Sequence, residues 1–340
     1  MSVTIIDNDG ISIGRATELD HHEWDDLVER SPQASAFHYR GSLAAQADHA
    51  DARVHPLVGY KGQEPVGLLP VFETRKGGMT TAFSPAPSLW VSYLGPALLN
   101  HRKLKRRKRE RRNRRFVEGC LDWVERELGP KYVNVRTAPS YRDVRPFEWR
   151  DFDIDVRHTY SVDLTPGEED VLMSFSSDAR NNIRTEGDYR VYEGGRDEIR
   201  TIISQVRDRH DEQGESYGVT PAFVTDLYEQ LPEGTVRPYA CEIDGEVAGG
   251  MVVLESGDTA YRWQGGAKHD RDLPVNDLVD WAVMTDAMDR GVENYDLVGA
   301  NEQRLCGYKA KFGPRLRSYY TMEKGSRVTN ALSSVYKKFR

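Results

Sequence analysis

Between residues 259 and 313 the chain changes its period three times, and that order constrains the local fold. TAYRWQGGA (259–267) alternates as a strand does and ends on a glycine pair. A loop, KHDRDLPVND, follows. Then LVDWAVMTDAMDRG (278–291) sets Leu278, Trp281, Ala282, Met284 and Met288 at helical spacing. YDLVGAN (295–301) reads as a second strand, and GYKAKFG (307–313) closes the segment, read as strand or extended loop. Strand, Gly-rich turn, helix, strand puts a helix N-terminus beside a strand end. Its unpaired N–H groups are a ready site for phosphate or carboxylate.

The rest of the chain uses the same grammar. HHEWDDLVERS (21–31) puts Trp24, Leu27 and Val28 on one face and predicts a helix. His21-His22 stands at its start and has no partner at a metal-ligand spacing such as HExxH. Residues 53–85 read as two or three antiparallel strands turning at Lys61-Gly62 and Lys76-Gly77-Gly78, and 89–99 as another apolar stretch. Phe116, Val117, Cys120, Leu121, Val124 and Leu128 make an apolar stripe that predicts one long helix over 102–128, before a strand over 131–138. After a helix that opens at Pro166 and runs through about Phe175, the second half has a helix in SSDARNNIR and an amphipathic one through Ile199, Ile202, Ile203 and Val206. Another starts at Thr220 with Pro221 next. Residues 236–266 read as three strands, with Asp244-Gly245 as a hairpin turn. The expected division is a domain over 1–155, a second over 156–325 and a basic C-terminal helix over 326–340. The expected class is α/β (α+β).

These residues resemble a known family. Tyr261-Arg262-Trp263, Gly265-Gly266, the helix with Trp281, Gly291, Tyr295-Asp296-Leu297 and the Tyr308-Lys309-x-Lys311-Phe312-Gly313 ending carry the likeness. They resemble the second acyltransferase-type domain of the FemAB-like proteins, a branch of the GNAT (N-acetyltransferase) superfamily. SFSSDARNNIR (174–184) resembles that family's Arg-rich helix, and PVGLLPVF (65–72) its first domain. The resemblance implies two tandem GNAT-like domains, each a mixed, mostly antiparallel sheet flanked by helices. It implies an N-acyltransferase that moves an acyl group from acyl-CoA to an amine on an amino sugar, peptide or lipid-linked glycan precursor. The neutral amine attacks directly and no metal is needed. Two other readings stay open: aminoacyl-tRNA as donor, and a non-catalytic module that docks RNA or membrane.

Charge distribution bears on the partner. The chain carries −7 overall, yet residues 102–115 hold 11 Lys/Arg and one Glu, which leaves −17 for the remainder. Such a run reads as a contact for a polyanion such as tRNA, as a contact for anionic lipid, or as a solvated helix face. No apolar run reaches the roughly 20 residues of a membrane span. The N-terminal MSVTIIDNDGISIGRA lacks the basic and apolar regions of a signal peptide. Cys120, Cys241 and Cys306 are far apart and form no CxxC. A reduced, metal-free, cytoplasmic protein is expected, with a place at the inner face of the membrane open to it.

The candidate site residues fall into three groups. Gln264, Gly265, Gly266 and Asn276 are read as holding the donor, on an approximate echo of the superfamily's Q/R-x-x-G-x-G/A loop; the alternative is a plain turn. Arg180 and Arg184, one helical turn apart, are read as clamping an anion, or else as a solvated face. Tyr261 and Trp263, with Tyr217, form an aromatic wall that lines an acceptor pocket or fills the core. Lys309 is read as offsetting negative charge on the donor or the tetrahedral intermediate. Lys311 is read as solubility charge pointing the same way as Lys309. Asp296 is the candidate general base, with Tyr217 and Glu302 as others, and its alternative is capping the next turn.

Overall fold

A computed structural model describes residues 4–267 and 273–325. The expected basic helix over 326–340 and part of the loop after the Gly pair lie outside them. The chain divides into two units, residues 1–156 with 319–340 and residues 157–318.

Unit one begins with β1 (Ile5–Asp7), β2 (Ser12–Arg15), α1 (Glu18–Glu29) and α2 (Arg40–His49). Helix α1 starts before His21 because Thr17 and Asp20 form a reciprocal capping box, so His21 and His22 fall inside the helix. Then come β3 (Arg53–Lys61), β4 (Glu64–Lys76), β5 (Met79–Ser84), β6 (Ala97–Leu98), α3 (Arg106–Leu128), β7 (Tyr132–Arg136) and α4 (Arg145–Glu148). The turns fall at Gly62 and Gly77-Gly78, all with positive φ. Most of the apolar stretch 89–99 is buried loop; β6 pairs with β4, and Leu94 bridges to Thr137.

Strand β8 (Asp153–Asp163) carries the chain into unit two. There follow α5 (Glu168–Ser174), α6 (Ser177–Ile183), β9 (Tyr189–Glu193), α7 (Arg196–Glu212) and α8 (Pro221–Gln230). They lead to β10 (Val236–Ile243), β11 (Glu246–Ser256), β12 (Thr259–Gly265), α9 (Val275–Asp289), β13 (Asn294–Asp296) and α10 (Gln303–Ala310). Strand β14 (Arg315–Gly325) returns to unit one and pairs with β7.

Each unit is a mixed, mostly antiparallel sheet flanked by helices. Unit one runs β1-β2-β3-β4-β5-β7-β14 and unit two β8-β13-β12-β11-β10-β9. The parallel pairs are β5–β7 and β12–β13, each joined through a crossover helix, α3 or α9. A parallel neighbour needs such a crossover, so the two units share one construction. In unit two α9 packs its Val275, Val279 and Val283 on the Met251 and Val253 face of β11. The opposite face, at Gly250, receives Ile202 of α7.

In unit one, Phe116 of α3 lies over two glycines that pair across β3 and β4, Gly59 and Gly67. A Cβ on Gly67 would come within 2.9 Å of the ring. Gly67→Ala is therefore expected to destabilise the chain by about 1–3 kcal/mol through overpacking. The shift in denaturant midpoint checks this, and Phe116→Leu in the same chain should return part of it.

Candidate functional site

The turn after β12 is held from several sides. Strand β12 bulges against β11 between Val252 and Val253, so Trp263 is the extra residue. Gly265 has φ 153°, and a Cβ there would lie 2.3 Å from the Gly250 carbonyl oxygen, so only glycine fits. The Gly266 N–H donates to Gly250 O at 2.7 Å. The Ala267 N–H donates to Asn276 Oδ1 at 2.8 Å. Arg209 of α7 donates through Nη1 to Gly266 O at 2.7 Å. Tyr217 donates its hydroxyl to Gln264 Oε1 at 2.6 Å and stacks on His210 with centroids 4.7 Å apart. Burial pushes the Tyr217 phenol up, so it stays neutral and is no base at ordinary pH. Thus Gln264, Gly266 and Asn276 each have a hydrogen-bond partner within the unit. The N–H groups of Gly266 and Ala267, which a donor's pyrophosphate would require in the expected loop, already have acceptors within the unit.

A second turn follows β13. The expected strand over 295–301 stops at Asp296, whose Oδ1 accepts from the Val298 N–H at 2.8 Å and from Thr159 Oγ1 at 2.6 Å. Val298 and Gly299 then take positive φ. Lys309, only 5% exposed, donates through Nζ to Val298 O at 2.7 Å and to Gly299 O at 2.8 Å. An ammonium has three protons, and the third has no acceptor among the described residues. Desolvation, and after it the nearby Arg262 charge, lower the Lys309 pKa to about 8; Asp296 and Asp280 oppose the shift. Asp296 thus caps the turn that Lys309 grips.

Residues 303–310 are helix α10, not the strand or extended loop expected for GYKAKFG. Two positions on a helix are about 200° apart. Lys309 and Lys311 therefore diverge rather than point the same way. Lys311 pairs with Asp277 and lies 4.0 Å from the Tyr308 ring centroid, so it is not free solubility charge. Asp277 also accepts from Asn182 of α6 at 2.7 Å.

Between the two turns lies a buried carboxylate. Asp280 of α9 is fully buried and accepts from Arg262 Nε at 2.7 Å, Tyr295 Oη at 2.7 Å and Tyr308 Oη at 2.8 Å. Burial and the Asp280 charge push both phenols well above their ordinary range. The Arg262 guanidinium acts electrostatically on both Arg209 and Lys309. Arg209, Arg262 and Lys309 thus form a line of electrostatically coupled cations on α7, β12 and α10, with Arg262 at mid-strand. Arg209 and Asp280 escaped the sequence reading. The available signal was an acid at position 280 inside the apolar pattern of residues 278–288.

The other candidates stand apart from this line. Arg180 turns back to cap α5, donating to the Phe175 carbonyl and, at 3.4 Å, to that of Met173. Arg184 is exposed at the C-cap of α6. The two do not form a joint clamp in the structure. Trp263 is buried edge-on to Phe223 with centroids 6.0 Å apart, which is core packing. Tyr261 is half-buried and pairs with Asp296 across β12 and β13; burial and Asp296 raise its pKa. Glu302 is exposed at the N-cap of α10.

Among the described residues no cluster of three or more His, Cys, Asp or Glu has a metal-holding arrangement. No described helix is long and apolar enough to cross a membrane. The three cysteines are free thiols.

Comparison with known proteins places this geometry. A family model described as an acetyltransferase (GNAT) domain matches residues 176–310, which contain Arg209, Arg262, Asp280 and Lys309. No curated protein sequence gave a match. Among solved structures, FemX superposes with a TM-score of 0.71 at 11% identity, over 91% of this chain and 96% of that one. L-PGS from Bacillus licheniformis gives 0.56 at 10% identity, over 94% and 96%. A tandem GNAT protein from the clavulanic acid biosynthesis pathway gives 0.53 at 13% identity, over 92% and 98%. At these identities the structural likeness is one of fold. Residues 176–310 are thus similar to a GNAT acetyltransferase domain, and the chain as a whole shares the fold of FemX and of the tandem GNAT protein.

Proposed function

We propose that the chain transfers an aminoacyl group from an ester donor of the aminoacyl-tRNA type to a primary amine on an amino sugar, peptide or lipid-linked glycan precursor. Lys309 carries this reading. A buried ammonium with one unclaimed proton and a pKa near 8 is a strong local charge in a low dielectric. The neutral amine attacks the ester carbonyl and forms the C–N bond. The carbonyl oxygen becomes an oxyanion, which Lys309 balances. The C–O bond to the ribose then breaks, and the proton lost by the amine ends on the leaving hydroxyl. Asp296 acts here as a positioning residue, since it shapes the turn that Lys309 grips. Arg209 and Arg262 extend the cationic line toward an anionic group of donor or acceptor. Arg180, Arg184 and Tyr261 are left as outer contacts of the substrates, and Trp263 as core behind them.

The engaged N–H groups of Gly266 and Ala267 favour this donor over acyl-CoA, because they leave the expected pyrophosphate loop without donors. A second reading keeps acyl-CoA as co-substrate, and the matched family's description as an acetyltransferase domain favours it. Three free thiols suit a reducing cytoplasm. The test is the melting temperature with deacylated tRNA or with acetyl-CoA in matched salt, since a ligand of the native state raises it. A shift with tRNA that falls with salt, and none with acetyl-CoA, is the expected result. A shift with acetyl-CoA alone selects the second reading.

A further inference from the structure

The start of α3 is built against its own electrostatics. A helix N-terminus carries partial positive charge and prefers acids in its first turn. The crossover helix of unit two obeys this, with Asp277 in the first turn of α9. Its counterpart α3 has no acid there; it begins Arg106-Arg107-Lys108-Arg109 after Lys105. Nothing in the fold demands the reversal, because α3 buries Phe116, Val117, Cys120, Leu121 and Val124 two turns further on. Of the 11 cations in residues 102–115, four have carboxylate partners: Arg106 with Glu110, Arg112 with Glu64, Arg114 with Glu118 and Arg115 with Asp9. The others have none among the described residues, and Arg102, Lys103, Lys105, Arg107, Lys108 and Arg111 are exposed.

An aromatic side chain borders this patch. Trp149 is 55% exposed, and the Arg145 guanidinium sits 5.6 Å from its ring centroid. The same guanidinium reaches Glu110 of α3 at 3.7 Å. Clustered cations beside an exposed Trp are the composition of a membrane–water interface. Further along, α3 carries Glu118 and Asp122, both half-buried, and the exposed Glu125, which pair with Arg114 or Arg150. A nucleic acid lying along the helix would meet those carboxylates. A flat anionic surface approached by the helix start alone would not.

We infer that the N-terminal end of α3, with residues 102–105 and Trp149, is a docking surface for anionic phospholipid headgroups. It goes beyond the transfer reaction and stands whichever donor is used. The −17 carried by the rest of the chain is repelled by the same surface, which among the described residues favours approach by this end.

Co-sedimentation of the full chain with phosphatidylcholine vesicles, with and without phosphatidylglycerol, tests this. Binding is expected only with phosphatidylglycerol present, and high salt should abolish it. A triple variant, Arg107→Glu, Lys108→Glu and Arg111→Glu, should bind at least about a hundredfold more weakly, since each cation near such a surface counts several-fold. These side chains are exposed, so its melting temperature should match the parent's. Trp149→Ala should weaken binding several-fold and remove a blue shift in tryptophan emission. Equal binding to neutral vesicles overturns the inference, as does undiminished binding of the triple variant. Binding to a tRNA pool through the same cations, with no binding to vesicles, also overturns it.

Discussion

Lys309→Met is expected to lower the transfer rate by about 10²–10³-fold while leaving the fold nearly as stable as before. The rate loss has the size seen when one preorganised stabiliser of an oxyanion is removed. The stability should change little because two effects oppose each other. The substitution strands the carbonyls of Val298 and Gly299, at about 1–3 kcal/mol each. It also removes an ammonium whose burial is unfavourable. That ammonium has a folded pKa of about 8, below its ordinary 10.5, so the folded chain releases the proton first. At neutral pH this group therefore destabilises the fold by roughly 3 kcal/mol, and its contribution to stability rises as pH climbs from about 8 to about 10.5. Activity moves the other way. The parent enzyme should lose activity as pH rises through about 8, when Lys309 gives up its charge, and that alkaline limb should vanish in the variant. A merely structural lysine would lower the rate and leave the limb in place.

Asp280→Ala is expected to be the most destabilising single change in unit two. It leaves the Arg262 charge buried without its counter-ion and the hydroxyls of Tyr295 and Tyr308 without their acceptor. Breaking a buried pair from one side costs about 3–5 kcal/mol. Urea denaturation should show this as a lower midpoint with an unchanged slope. Arg262→Leu in the same chain should recover part of the loss, because the uncompensated charge then disappears. A loss under about 1 kcal/mol would mean that water reaches Asp280 and that the line of cations is solvated.

The legible parts of the chain are those where a period runs long enough. The alternation in 236–266 and the stripe through Leu278, Met284 and Met288 locate β10, β11, β12 and α9 within a few residues. The Asp244-Gly245 and Gly77-Gly78 turns were visible because positive φ selects their residues. Helix α10 was not legible. It is eight residues long, and Gly307 sits within it, so no periodic signal separates it from a loop. That misreading put Lys309 and Lys311 on one side, whereas the helix sends them to different partners. The Gly265-Gly266 pair was visible, but its reason was not. Sequence leaves an anion loop and a plain turn open, and the structure adds that a Cβ at Gly265 would meet the Gly250 carbonyl. Arg180 and Arg184 show the same limit, since spacing places two cations on one helix side but does not say that one folds back on α5. Asp280 is the instructive case. A lone acid in an apolar stripe looks like noise until its partners on β12, β13 and α10 are in view.

The central claim is that unit two forms an amide from an activated acyl group through Lys309. Esters and thioesters are cleaved by mild base and amides are not, so the product can be told from the donor. The chain would be given a labelled aminoacyl-tRNA pool, or labelled acetyl-CoA, with an amine-rich small-molecule extract, and the base-stable label measured over one turnover. Base-stable label is expected with the parent enzyme from the aminoacyl donor, and at least about a hundredfold less with Lys309→Met. Base-stable label from neither donor, or equal amounts from parent and variant, would contradict it.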